Sequence, residues 1–128
     1  MMANDILTID GITYAVNITS LKETSEFLDK YANRSEDGVL KRGLIGVYFN
    51  HELTLAMSQD RTVMQALWTK INEPVEFHTV KLPHNDGFLT YSAYVTGSYR
   101  NLFRRKDGTN WWGGFTIKFI AQKPALTP

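Results

Sequence analysis

The sequence predicts a mainly β fold: an antiparallel β-sandwich or partly closed barrel, with one flanking α-helix at about 60–72 and an extended hairpin arm at about 20–43. Three observations predict it. Asp10-Gly11 separates two short runs rich in β-branched residues, and such a dipeptide is a type I′ hairpin signal. From Val47 to Met57 the pattern has a period of two, with Val47, Phe49, Leu53, Leu55 and Met57 on one side and Tyr48, Asn50, Glu52 and Thr54 on the other. Only one segment shows a clear helical stripe, through Val63, Met64, Leu67, Trp68 and Ile71.

Taken in order, Ile6–Ile9 and Ile12–Thr19 read as the two limbs of the first hairpin. Ser20–Gly38 supports two readings. Ser20 with Glu23 makes a capping box, and Thr24, Phe27, Leu28 and Tyr31 have helical spacing. Alternatively the preceding strand runs on as one limb of a long hairpin that turns near Asn33–Gly38. Asp60 is placed to cap the helix, and Asn72-Glu73-Pro74 ends it, since the residue before proline avoids the helical region. Val75–Leu82 then reads as a strand, Pro83–Gly87 as a turn, Phe88–Thr96 as the returning strand and Gly97–Asn110 as a polar loop. Trp111–Ala121 is the last strand, with Trp111, Phe115, Ile117 and Phe119 on one face and Gly113-Gly114 inviting a bulge. No linker or repeat divides the chain, so residues 1–128 are expected to form a single domain.

A chain of 128 residues and 14.6 kDa is long enough to bury about two-thirds of its surface, so it needs no disulfide or metal clamp. The absence of cysteine excludes thiol catalysis, Cys-based zinc sites and iron–sulfur clusters. No apolar run approaches eighteen residues, and Met1–Asp5 lacks a basic stretch leading into an apolar one, so neither membrane insertion nor a secretory signal is expected. The formal charge of +1 is a sum of opposites. Residues 1–73 hold seven Lys/Arg and ten Asp/Glu (net −3), and residues 74–128 hold seven and three (net +4). Opposite ends of this kind favour head-to-tail self-association or a polyanionic partner.

Catalytic chemistry finds little to use. His51 and His78 sit in strand patterns and His84 in a turn; Glu76 and His78, two apart, would share a face. No H-x-H or H-E-x-x-H spacing supplies a metal, no G-x-S-x-G a nucleophile, and no glycine-rich loop a phosphate cradle. The sequence therefore assigns no catalytic, cofactor or metal residue, and an enzyme is not expected. Two other groups stand out. The prospective arm carries Lys22, Glu23, Glu26, Asp29, Lys30, Arg34, Glu36, Asp37, Lys41 and Arg42, five cations and five anions, which suits a solvated arm or one that pairs with a neighbour. The basic-aromatic loop at 99–106 holds Tyr99, Arg100, Phe103, Arg104, Arg105 and Lys106, a composition that can bind phosphates and stack bases. A single-stranded nucleic-acid or small-ligand binding β-barrel is thus one functional expectation.

The other comes from a resemblance. Phe27–Gly38 (FLDKYANRSEDG), Leu44–Asn50 (LIGVYFN), Leu67-Trp68, Glu73–His78 (EPVEFH) and Phe119–Ala125 (FIAQKPA) resemble a family of short tail proteins of phages and prophages of Gram-positive hosts, of the tail-tube and distal-tail group. The likeness extends over roughly residues 10 to 125. It implies a β-sandwich with one flanking helix and an extended arm, whose subunits form rings, often of six, around a channel. The expected partners are then the chain itself, other tail proteins and DNA passing through the channel; the expected location is the virion tail, after assembly in the host cytoplasm. The resemblance brings no catalytic residue and does not separate a tube subunit from a distal-tail or baseplate component.

Overall fold

A computed structural model describes residues 5–56 and 60–128. The expectations for Met1–Asn4 and for Met57 lie outside the described residues. The elements are β1 (Asp5–Ile9), β2 (Ile12–Val16), β3 (Ile18–Arg34), β4 (Leu40–Leu55), α1 (Arg61–Ile71), β5 (His78–His84), β6 (Gly87–Lys106) and β7 (Thr109–Ala121). All seven strands join one antiparallel sheet in the order β2-β1-β5-β6-β7-β4-β3. Among the described residues the sheet is not closed by hydrogen bonds, and one helix accompanies it.

The sheet curls because of one short connection. β2 and β3 occupy opposite edges, yet only Asn17 separates Val16 from Ile18, so the two edges must meet at a corner. Backbone N–H of Ala56 donates to Asn17 O at 2.9 Å and Thr19 Oγ1 donates to Thr54 O at 3.1 Å, fixing that corner to the end of β4. Curling turns the inward residues of six strands towards one another. Leu7 and Ile9, Val16, Leu53 and Leu55, Val80 and Leu82, Ala93, and Ile117 and Phe119 form a single buried cluster.

The helix completes this core. Asp60 Oδ1 accepts the Val63 N–H at 3.2 Å, satisfying one of the free donors of the first turn. Met64, Leu67 and Ile71 are buried, as the apolar stripe requires. Trp68 meets Phe115 edge-on, with ring centroids 5.4 Å apart. Leu67 is wholly removed from solvent, which stabilises the fold by about 1.5–3 kcal/mol.

Several expectations hold. Asp10 (φ 51°) and Gly11 (φ 83°) form the type I′ turn. The β6–β7 register shifts between Arg100↔Phe115 and Leu102↔Trp112, the stretch that holds Gly113-Gly114, as a bulge requires. Ser20–Gly38 is strand and loop, with no helix: β3 pairs with β4 along its whole length, from Ile18↔Leu55 to Arg34↔Leu40, and that ladder outweighs the local helical spacing.

Three expectations are corrected. Residues 97–110 are not a loop: β6 continues to Lys106, Asp107 (φ 53°) and Gly108 (φ 75°) make a two-residue turn, and β7 begins at Thr109. A bulge at Gly97 (φ 67°), where the register jumps between Thr96 and Tyr99, lets the strand bend and carry on. The strand expected from Val75 starts at His78, because the Val75 N–H turns back to Glu73 O at 2.8 Å after Pro74. Pro83 and His84, expected in a turn, extend that strand. Among the described residues no helix is long and apolar enough to cross a membrane.

Candidate functional site

Two ribbons leave the core. In β3 and β4 no residue from Lys22 to Ile45 is buried; in β6 and β7 none is buried from Tyr94 to Gly114. Each ribbon is a two-stranded hairpin whose outer part has both faces in water, and such a hairpin is marginal on its own. Their directions follow from the sheet register. β4 pairs with β7 antiparallel through His51↔Phe119 to Thr54↔Thr116. The tip of the first arm lies back along β4 towards Leu40, and the tip of the second lies back along β7 towards Thr109. Antiparallel strands followed towards their own beginnings diverge, so the arms emerge from opposite ends of the sheet.

The first arm ties up much of its own charge. Arg42 Nε lies 2.5 Å from Asp29 Oδ1, and its guanidinium carbon lies 5.2 Å from the centre of the Phe27 ring. Asn50 Nδ2 donates to Glu26 Oε2 at 2.9 Å, Arg34 Nη1 donates to Gly38 O at 3.0 Å, and Asp37 accepts from Ser35 Oγ and from the Val39 N–H. The Ser35 hydroxyl, followed by the Val39 N–H, holds the Asp37 carboxyl below its usual range. Lys22 stands opposite Glu52 in the register, and Lys30, Glu36 and Lys41 are exposed. Five large apolar residues are turned outward beside them, Phe27, Leu28, Tyr31, Val39 and Leu40, each about half exposed. Charge counting missed these residues, and the helical spacing of Phe27, Leu28 and Tyr31 in the sequence does not place them on an exposed strand.

The six residues of the second arm divide. Tyr99 and Phe103 are 58% and 67% exposed, and Arg104, Arg105 and Lys106 are exposed around them, with Arg105 Nη1 donating to Asn110 Oδ1 at 2.6 Å. Arg100 turns the other way. It sits between the bulges, and its guanidinium lies 4.1 Å from the Trp112 ring centre and 4.5 Å from that of Trp68. Desolvation lowers its pKa from the ordinary arginine value. Arg100 thus fastens the root of the second arm to the helix. Arg100→Ala should destabilise the fold by about 1–2 kcal/mol through loss of two cation–π contacts, with altered Trp emission; urea unfolding followed by fluorescence measures both.

No protein-family model matches the chain, and no curated protein does.

The histidines are placed by the sheet, not by sequence spacing. His78 does not pair with Glu76, which lies before β5. Its Nδ1 is 2.7 Å from Asp10 Oδ2, while Asp10 Oδ1 accepts the Thr79 N–H at 2.8 Å. Lys70 Nζ stands 3.4 Å from Asp10 and 3.2 Å from Glu73, so this cluster contains its own cation. Desolvation opposes the ionised form of Asp10, but the hydrogen bonds from His78, Thr79 and Lys70 outweigh it and depress the carboxyl pKa. A depressed acid contributes stability that is present above the unfolded value, near 3.8, and lost as pH falls through the folded one. Asp10→Asn should therefore flatten the loss of stability that urea melts reveal in the parent chain as pH falls below about 4.

His51 interrupts the apolar side of β4, as the pattern indicated. Its side chain is fully buried, its Nδ1 is 2.7 Å from Tyr91 Oη, and desolvation lowers its pKa. Tyr91 is itself shifted upward by burial and stays a neutral phenol. The register sets Glu23 beside His51, with Nε2 3.8 Å from Glu23 Oε2. The curl brings in His84 from the far end of β5, its Nδ1 2.9 Å from Glu23 Oε1. Sequence separations of 28 and 33 residues could not announce this group, and the sequence reading assigned His51 and His84 no role.

Proposed function

We propose that the chain is a structural subunit of a phage or prophage tail, a tail-tube or distal-tail component, that works by assembling with copies of itself into rings. The observation that carries this reading is the pair of hairpin arms leaving opposite ends of the sheet, each with exposed aromatic side chains. The accessible surface is 8385 Å². A compact monomer of this mass would expose roughly 6,900 Å², so about 1,500 Å² is excess, comparable to the area buried in a standard protein–protein interface. Arms at opposite ends suit a heterologous, head-to-tail contact, which closes into a ring when the rotation permits. The net −3 of residues 1–73 and +4 of residues 74–128 complement each other in such a contact. In a ring, the basic second arm is available to an acidic surface of the next layer or to DNA in a channel, and other tail proteins are the further partners.

Light scattering over a range of protein and salt concentrations tests the reading. The expected result is a mass that climbs above 14.6 kDa with concentration in discrete multiples of the chain. A strict monomer up to millimolar protein overturns it.

A second reading has one observation in its favour: Tyr99 and Phe103 stand exposed among Arg104, Arg105 and Lys106, a stacking and phosphate-binding surface for single-stranded nucleic acid. Replacing Arg104 and Arg105 with Ala should then lower the salt slope of oligonucleotide binding by about one unit per lost phosphate contact. Unchanged binding, or none at low salt, removes this reading.

A further inference from the structure

We propose that Glu23, His51 and His84 form a binding site for a divalent transition-metal ion, Zn2+, which pins the β5–β6 turn to the β3–β4 pair. One ligand atom from each residue lies within 4.8 Å of the others. The separations from one carboxylate oxygen, Glu23 Oε2, are 3.1 Å to His84 Nδ1 and 3.8 Å to His51 Nε2, and they bracket the spacing of about 3.3 Å that zinc imposes on ligands 2.0–2.1 Å away. Two imidazoles and a carboxylate are a common zinc set, leaving a fourth position for water or another oxygen.

The decisive atom is His51 Nε2. It is buried and has no hydrogen-bond partner, in a side chain with no exposed surface. A buried polar atom left unsatisfied costs about 1–3 kcal/mol, so an unpaired nitrogen pointing at a carboxylate requires an explanation. In the tautomer that donates Nδ1–H to Tyr91 Oη, Nε2 carries a lone pair 3.8 Å from Glu23 Oε2, and a cation between them satisfies both groups. The Tyr91 contact also fixes the imidazole plane, the usual task of an outer-shell partner. The Phe49 ring lies against His84, 5.4 Å between centroids, and limits its rotation. Glu23 and His84 keep 31% and 21% of their side-chain surface, which gives an ion a way in.

The second histidine–carboxylate group, Asp10, Glu73 and His78, provides the contrast. Its ligand atoms are equally close, but Lys70 already supplies the positive charge and the Thr79 N–H fills the remaining carboxylate oxygen. In sheet order three strands, β6, β7 and β4, separate β5 from β3. An ion shared by Glu23 and His84 therefore cross-links strands that share no backbone hydrogen bond. This inference does not depend on ring assembly.

Calorimetric titration with ZnCl2, and cobalt absorption spectra of the same proteins, test it. The expected result is one ion per chain, a tetrahedral Co2+ visible spectrum, and a rise in melting temperature with zinc, as ligand linkage demands. Glu23→Gln and His84→Ala, both at partly exposed positions where folding should survive, should each weaken binding by more than the roughly 10–100-fold that loss of an outer-shell partner costs. His78→Ala should leave it unchanged. Absence of zinc binding by the parent chain overturns the proposal, as does affinity indifferent to both variants, loss only in His78→Ala, or one ion per two chains.

Discussion

Gly114→Ala should unfold the protein or displace β7, with a loss of more than about 4 kcal/mol in urea or thermal unfolding. A Cβ at Gly114 would lie 1.7 Å from Leu55 O, 2.7 Å from Leu55 C and 2.9 Å from Ala56 C. These are backbone atoms at the end of β4, held by the Ala56–Asn17 hydrogen bond, and they cannot rotate aside as a side chain does. Total stability for a domain of this length is on the order of 6–19 kcal/mol, so this single methyl group takes a large share of it. The neighbouring residue gives the control. A Cβ at Gly113 meets only Asn101 O, at 3.6 Å, an ordinary contact. Gly113→Ala should therefore change stability by no more than about 1 kcal/mol. Equal effects at the two positions would mean that β7 does not approach β4 this closely.

Phe27→Ser and Phe103→Ser should do the reverse, leaving stability nearly untouched and weakening assembly. Both rings are more than half exposed, Phe27 at 58% and Phe103 at 67%, and neither belongs to the core. Exposed substitutions of this kind generally stay within about 0.5 kcal/mol. If each ring is covered by a neighbouring subunit, its loss removes about 1.5–3 kcal/mol per contact, which weakens association roughly 10–100-fold. Sedimentation velocity of the single and double variants reads that change directly. Hydrogen exchange adds a second readout, since the outer halves of both arms should exchange rapidly in the monomer and slowly in the assembly. Association unaffected by both variants would leave the arms with no part in it.

The sequence reveals elements that bury one face and conceals those that bury none. The helix at Arg61–Ile71, the Asp10-Gly11 turn and the inner half of β4 were all legible, because each sets apolar residues against the core with a definite period. The outer half of β3 has no such period, since water lies on both sides, and its spacing allowed a helix as readily as a strand. The same cause made residues 97–110 resemble a loop, although Asp107-Gly108 is as plain a turn signal as Asp10-Gly11. The sequence supplied the ten arm charges and six basic-loop residues, but not that Arg100 faces Trp68 and Trp112 or that Glu23 faces His51 and His84. Bulges aim the first and sheet curl assembles the second; both depend on pairing between distant residues.

The place of β7 also bears on the order in which the protein is made. Six strands leave the ribosome before it, and without it they form two pieces with no strand ladder between them, β2-β1-β5-β6 and β4-β3. The strand that bridges them arrives last. At translation rates of about 5–20 residues per second, β3 and β4 wait several seconds for their inner neighbour. During that time the nascent chain displays unpaired edges on both fragments, the form in which β-rich chains are most prone to pair with the wrong partner. The sheet is therefore completed only after β7 has emerged, and a chain cut short before Thr109 should emerge as two fragments of sheet joined by the Asn17 corner and by α1, a substrate for chaperones and proteases.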